Sequence, residues 1–123
     1  MKTVNTDKAP AAIGPYSQAI ISGGLVFTSG QIPVDPATGV IAGETIVEQA
    51  KQVMANLQVV LAAAGTTPER TVKTTCFLAD MADFAAFNEI YAQTFTSKPA
   101  RSCVAVRTLP KGVLCEVEVV AEI

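Results

Sequence analysis

Two segments of the chain repeat apolar residues at helical spacing. Ile46, Ala50, Val53, Leu57, Val60, Leu61 and Ala64 recur mostly at intervals of three and four, which places them on one stripe of a helix. Thr45 and Glu48 precede that stripe with the T-x-x-E spacing of a capping box, and Gly65 follows it as a natural helix stop. Phe84, Phe87, Ile90 or Tyr91, and Phe95 form a second stripe, capped by Asp80 and running to Thr96. Asn88 is the odd polar residue beside this stripe and is expected to hydrogen-bond a loop, with no catalytic role.

Elsewhere the pattern is that of strands. Gln18–Ser22 and Leu25–Ser29 flank Gly23-Gly24, a hairpin signal. Thr71–Leu78 alternates and is rich in β-branched residues. Ser102–Thr108 and Val113–Ile123 supply the last two strands, and Lys2–Asn5 is a short candidate at the start. Ile32–Gly43, rich in Pro, Asp and Gly, reads as a loop. This order predicts a single α+β domain over residues 1–123, a mixed β-sheet with two helices packed on one face. In the final strand Cys115, Val117, Val119 and Ala121 share one face, and Glu116, Glu118 and Val120 the other. If Val104 and Val106 of the preceding strand meet the helices, Arg101, Cys103 and Arg107 join the glutamates opposite. Ala105 and Val120 make that second face half apolar, which suggests that a partner covers it.

Composition narrows the chemistry. The formal net charge is −2 and the nine Lys and Arg residues are scattered, which argues against a nucleic-acid partner. No apolar stretch is long enough to cross a bilayer, and the N-terminus lacks the apolar region of a secretory signal. Cys76, Cys103 and Cys115 are an odd number without metal-ligand spacing, so reduced structural thiols and a cytoplasmic location are expected. The chain has no His, which excludes a Cys/His zinc site, a Ser-His-Asp triad and any imidazole base. Chemistry must come from carboxylates, Arg, Tyr, Cys, backbone and water.

Few residues qualify. Arg101 offers a planar fork that grips a carboxylate with two parallel hydrogen bonds, although by spacing alone it reads as a surface ion-pair residue. Glu116 could orient or deprotonate a water, although taken on its own it reads as an ordinary outward-facing strand residue. Tyr16 follows the turn-forming Gly14-Pro15, and Gly30 beside Ser29 would let a ligand approach the backbone. Cys103 lacks any partner to activate its thiol.

Taken in order, the segments Gly14-Pro15-Tyr16-Ser17-Gln18-Ala19, Thr28-Ser29-Gly30-Gln31-Ile32-Pro33, Phe77–Tyr91, Pro99-Ala100-Arg101-Ser102-Cys103-Val104, Leu109-Pro110-Lys111 and Glu116 span nearly the whole chain. The set resembles the RidA, or YjgF-like, family of reactive intermediate deaminases. The resemblance implies a chorismate-mutase-like fold, assembled as a homotrimer that packs its sheets inward and forms clefts between subunits. It implies hydrolysis of 2-imino acids, such as 2-iminopropanoate and 2-iminobutanoate, to 2-oxo acids and ammonia, with no metal or organic cofactor. By the same resemblance Arg101 grips the substrate carboxylate, Glu116 handles the water, and Cys103 contributes its backbone. Ser29 and Gly30 line the cleft and Tyr16 closes it. Val106-Arg107-Thr108-Leu109 departs from the family pattern by moving an Arg one position, and Glu118 competes with Glu116 for the water. A non-enzymatic ligand-sensing, regulatory or chaperone-like member of the same fold is the alternative. A chorismate-mutase-type activity is disfavoured, because one anchoring Arg does not suit a dicarboxylate.

Overall fold

In the computed structural model, which describes residues 1–123, both stripes form helices. Helix α1 spans Ile46–Ala63 and α2 spans Phe84–Thr94. The capping box is complete: Thr45 Oγ1 accepts from the Glu48 amide at 3.2 Å, and the Glu48 carboxylate accepts from the Thr45 amide at 3.3 Å. Asp80 caps a short turn of 3₁₀ helix instead of α2 itself, accepting from the Ala82 amide at 2.8 Å. The first three residues of the expected second helix, Met81–Asp83, therefore lie outside α2, which ends at Thr94 and not Thr96.

Six strands form one sheet: β1 (Lys2–Val4), β2 (Ala19–Ser22), β3 (Leu25–Thr28), β4 (Thr71–Leu78), β5 (Ala100–Ala105) and β6 (Cys115–Glu122). Their spatial order is β1-β2-β3-β6-β4-β5, and only β4 and β5 are parallel. A parallel pair needs a crossover, and α2 provides it. Gly23 and Gly24 both hold positive φ, 59° and 79°, as the tight β2–β3 turn requires. Val53, Leu57, Val60 and Leu61 of α1 and Phe87 of α2 pack with Cys115, Val117, Val119 and Ala121 of β6 in one core. The predicted parity of β6 is thus the observed one.

The parity expected for β5 is not. In register, Arg101 pairs with Thr74 and Cys103 with Cys76, both wholly buried beneath the helices. Arg101 and Cys103 therefore face the helices. Val104 pairs with Phe77, points the other way and is 46% exposed. The strand ends at Ala105, so Val106 and Arg107 lie beyond it. The reason is local. β5 is an edge strand whose alternation is not set by the core, and α2 presents Phe84, Asn88 and Tyr91 to it, a seat suited to a guanidinium and its stem.

Candidate functional site

The residues singled out in the sequence fall into two groups. The first lines a groove of about 1000 Å³ between the N-terminal segment, the 28–36 segment and β6. Tyr16, Ser29, Gly30 and Glu116 all line it, joined by Glu118 and Lys111.

A strand irregularity builds this groove. Phe27 pairs with Val120, and the next bridge joins Gln31 to Val117, so one strand advances four residues (27 to 31) while the other advances three (120 to 117). The extra residue is a β-bulge. The Thr28 hydroxyl fills the gap in the ladder, accepting from the Val119 amide at 3.0 Å. Gly30 is then pressed against the Glu116 side chain: a Cβ added there would collide with Oε2 and stand 2.8 Å from Cδ. Only glycine lets the Glu116 carboxylate stay where it is.

Buried amides hold the walls. Gln18 is 3% exposed and fully bonded, donating to the Thr6 and Pro10 carbonyls and accepting from the Thr6 amide, which ties the N-terminal segment to β2. Asn56 of α1 donates to the carbonyls of Ile32 and Val34 and fixes the opposite wall. The Ser29 hydroxyl donates to the Ser17 carbonyl, joining the two walls beside Tyr16. Tyr16 itself is half exposed at the rim. Burial, and then the neighbouring Glu118, push the Glu116 carboxyl above its usual range. Both causes favour the protonated, neutral form of the carboxyl in the groove.

The second group is Arg101 with Cys103. Lys98, in the left-handed region at φ 56°, turns the chain into Pro99 and so into β5. The Arg101 Nη1 donates to Asn88 Oδ1 at 2.7 Å. The guanidinium carbon lies 4.8 Å from the Tyr91 ring centre and 5.4 Å from that of Phe84. None of these partners is a carboxylate, so the surface ion pair that spacing alone suggested is replaced by neutral contacts. Burial raises the Cys103 thiol pKa despite the nearby Arg101, which disfavours the thiolate a nucleophile needs.

Within one chain the two groups do not meet. Glu116 pairs with Phe77 and faces away from the helices, whereas Arg101 pairs with Thr74 and faces toward them. Two strand spacings and three residues along the strand separate their Cα atoms by roughly 14 Å, with the sheet between the side chains. Sequence reasoning placed both on one face; the register corrects this. Asn88, expected to hydrogen-bond a loop, instead accepts from the Arg101 fork on β5. The available signal was a lone amide four residues after Phe84 and three before Tyr91, on the same side of α2. No group of three or more Cys, Asp or Glu side chains is placed to hold a metal, and no helix is long and apolar enough to cross a membrane.

The profile of the family described as Endoribonuclease L-PSP matches residues 6–123. The chain belongs to this family. A RutC family protein of Synechocystis is 56% identical over 98% of this chain and 95% of its own length. The 2-iminobutanoate/2-iminopropanoate deaminase of Salmonella typhimurium is 49% identical over 98% of this chain and 96% of its own. Among solved structures, E. coli TdcF with bound serine superposes with a TM-score of 0.95 at 43% identity, covering all of this chain and 99% of that one. The fold of this L-PSP family member, with two helices on a mixed six-stranded sheet, is that of its solved relatives.

Proposed function

We propose that this protein hydrolyses small 2-imino acids to 2-oxo acids and ammonia, in the cytoplasm, as a homotrimer with clefts shared between subunits. The observation that carries the proposal is the state of Arg101: a half-buried guanidinium, aimed by neutral groups and lacking a carboxylate partner, is a ready anion anchor. The deaminase from Salmonella, with its imino-acid substrates, and the amino acid bound in TdcF agree with a small carboxylate ligand. Phosphodiester cleavage, which the family's description names, suits the groove less well. Glu116 and Glu118 line it against the single cation of Lys111, and two carboxylates repel a phosphate chain.

In this reading Arg101 of one subunit binds the substrate carboxylate, and Glu116 of a neighbour stands at the imine carbon. Water forms the new C–O bond at C2 and gives a proton to Glu116. Glu116 passes that proton to the nitrogen, giving a carbinolamine; it then takes the hydroxyl proton and delivers it to the nitrogen, the C–N bond breaks as the C=O bond forms, and ammonia leaves. The imine is already electrophilic, so orientation and a proton path suffice. A second copy is needed because no single chain brings Arg101 and Glu116 together. The outer sheet face is fitted to receive one: Phe27, paired with Val120, and Val104 on β5 are 44% and 46% exposed there.

The test is a dehydratase that generates 2-aminoacrylate or its four-carbon homologue, with oxo-acid release followed with and without the protein. Acceleration is expected; tight binding of 2-oxo acids without acceleration would mean a sensor. Light scattering should give three chains per particle, and a stable monomer at micromolar concentration would rule out the shared cleft.

Two variants probe the groove. Gly30→Ala should fold, because the obstructing atoms end a flexible side chain, but should displace the Glu116 carboxylate. Misplacement by about 1 Å costs up to roughly a hundredfold, so kcat/KM should fall between tenfold and that limit, and an unchanged value would detach Glu116 from the chemistry. Cys103→Ser should keep most activity, since the strand backbone is unaltered; a covalent adduct on the parent thiol, detected by mass spectrometry, would contradict this.

A further inference from the structure

Arg101 is surrounded by groups that orient it without cancelling its charge. Asn88 Oδ1 takes one Nη1 proton at 2.7 Å. The rings of Tyr91 and Phe84 flank the guanidinium. Tyr91 is itself locked: its hydroxyl bonds the buried Thr74 hydroxyl at 2.7 Å, and its ring packs on Phe95 with centres 4.8 Å apart. An Asp in place of Asn88 would have the same shape and bind the guanidinium more strongly, as carboxylates generally do. It would also occupy the fork and neutralise it. An amide uses one of the five N–H donors and leaves the charge and the remaining donors to a ligand.

We propose that Asn88 is a positioning residue for carboxylate recognition, aiming the Arg101 fork from α2 while keeping its positive charge available to the bound anion. This rests on the reading of Arg101 as the anchor, and it adds a requirement for neutrality at position 88 that the anchor alone does not make. Stability and binding should then part company. Asn88→Asp gains an ion pair and should melt at or above the temperature of Asn88→Ala. It should nevertheless bind anions more weakly, because its carboxylate competes with the ligand for the same fork. Asn88→Ala leaves the charge but frees the side chain, so KM should rise more than kcat falls.

The experiment uses the full chain in its native assembly, with Asn88→Asp, Asn88→Ala and Arg101→Ala compared with the parent. Melting temperature, particle size, calorimetric affinity for 2-oxobutanoate, and KM and kcat are measured for each. Affinity should follow the order parent, Asn88→Ala, Asn88→Asp, the last at least about tenfold below the parent, a loss on the scale of one charged hydrogen bond. Affinities that track melting temperatures would reduce Asn88 to a structural role. Parent-like affinity in Asn88→Ala would overturn the proposal even if Asn88→Asp did not fold. If Arg101→Ala binds like the parent, the anchor reading itself falls. If it loses binding while both Asn88 variants keep it, only the positioning role is lost.

Discussion

Replacing Arg101 with Lys is expected to cost at least about tenfold in kcat/KM while leaving the fold and the proposed trimer intact. Both side chains carry one positive charge, so a diffuse electrostatic role would survive the change. The structure gives Arg101 two tasks that a Lys cannot do together. One nitrogen is held by Asn88 Oδ1 at 2.7 Å, and the flat guanidinium is packed against Tyr91 and Phe84. A Lys ammonium is a compact point charge without the fork. It must either stay with Asn88 or follow the anion. A hydrogen bond to a charged group is worth about 1.5–3 kcal/mol, and about 1.4 kcal/mol is a factor of ten in rate, which sets the lower bound. Arg101→Ala should lose far more and should abolish calorimetric binding of 2-oxobutanoate. If the Lys variant binds and turns over like the parent, Arg101 merely fills its aromatic seat and the anion is held elsewhere.

The parts of this fold that were readable from the chain are those where one physical requirement dominates. The α1 stripe, its capping box and the parity of β6 follow from burial on a single face, and all three are observed. β5 was misread because an edge strand is not bound by that requirement. Its Val104 is exposed, and its inward residue is an Arg whose aliphatic stem and planar head fit between rings of α2. Tertiary contact overrode alternation there. The groove residues Tyr16, Ser29, Gly30 and Glu116 were picked out individually, but their assembly depends on a bulge opposite Val119 that alternation does not signal. The buried amides of Gln18, Gln49 and Asn56 were invisible for a related reason. Each is polar in sequence yet holds loop carbonyls or amides inside the protein, so its role exists only once those loops are in place.

Glu116→Gln should lower imine hydrolysis while raising stability, and the two effects should separate with pH. Gln keeps the size and hydrogen-bonding reach of the side chain but cannot take up a proton. General acid–base contributions are typically about 10²–10⁴-fold; the low end is expected because water attacks an imine readily unaided. The stability effect has its own sign. Burial, with Glu118 second, raises the Glu116 carboxyl in the folded protein above its unfolded value. The fold therefore favours the protonated form, and this contribution is fully present below the unfolded pKa. It is lost as pH rises through the folded pKa, where an unfavourable charge must be carried in the groove. A neutral Gln removes that charge. The parent and the variant should melt alike near pH 4, and the variant should melt higher by pH 7 to 8. The site then keeps an ionisable carboxyl against the interest of stability, as a proton-handling role would require. A variant less stable than the parent at neutral pH would show that the Glu116 charge is paired in the assembled protein. Unchanged turnover would move the water-handling role to Glu118 or to the backbone of the bulge.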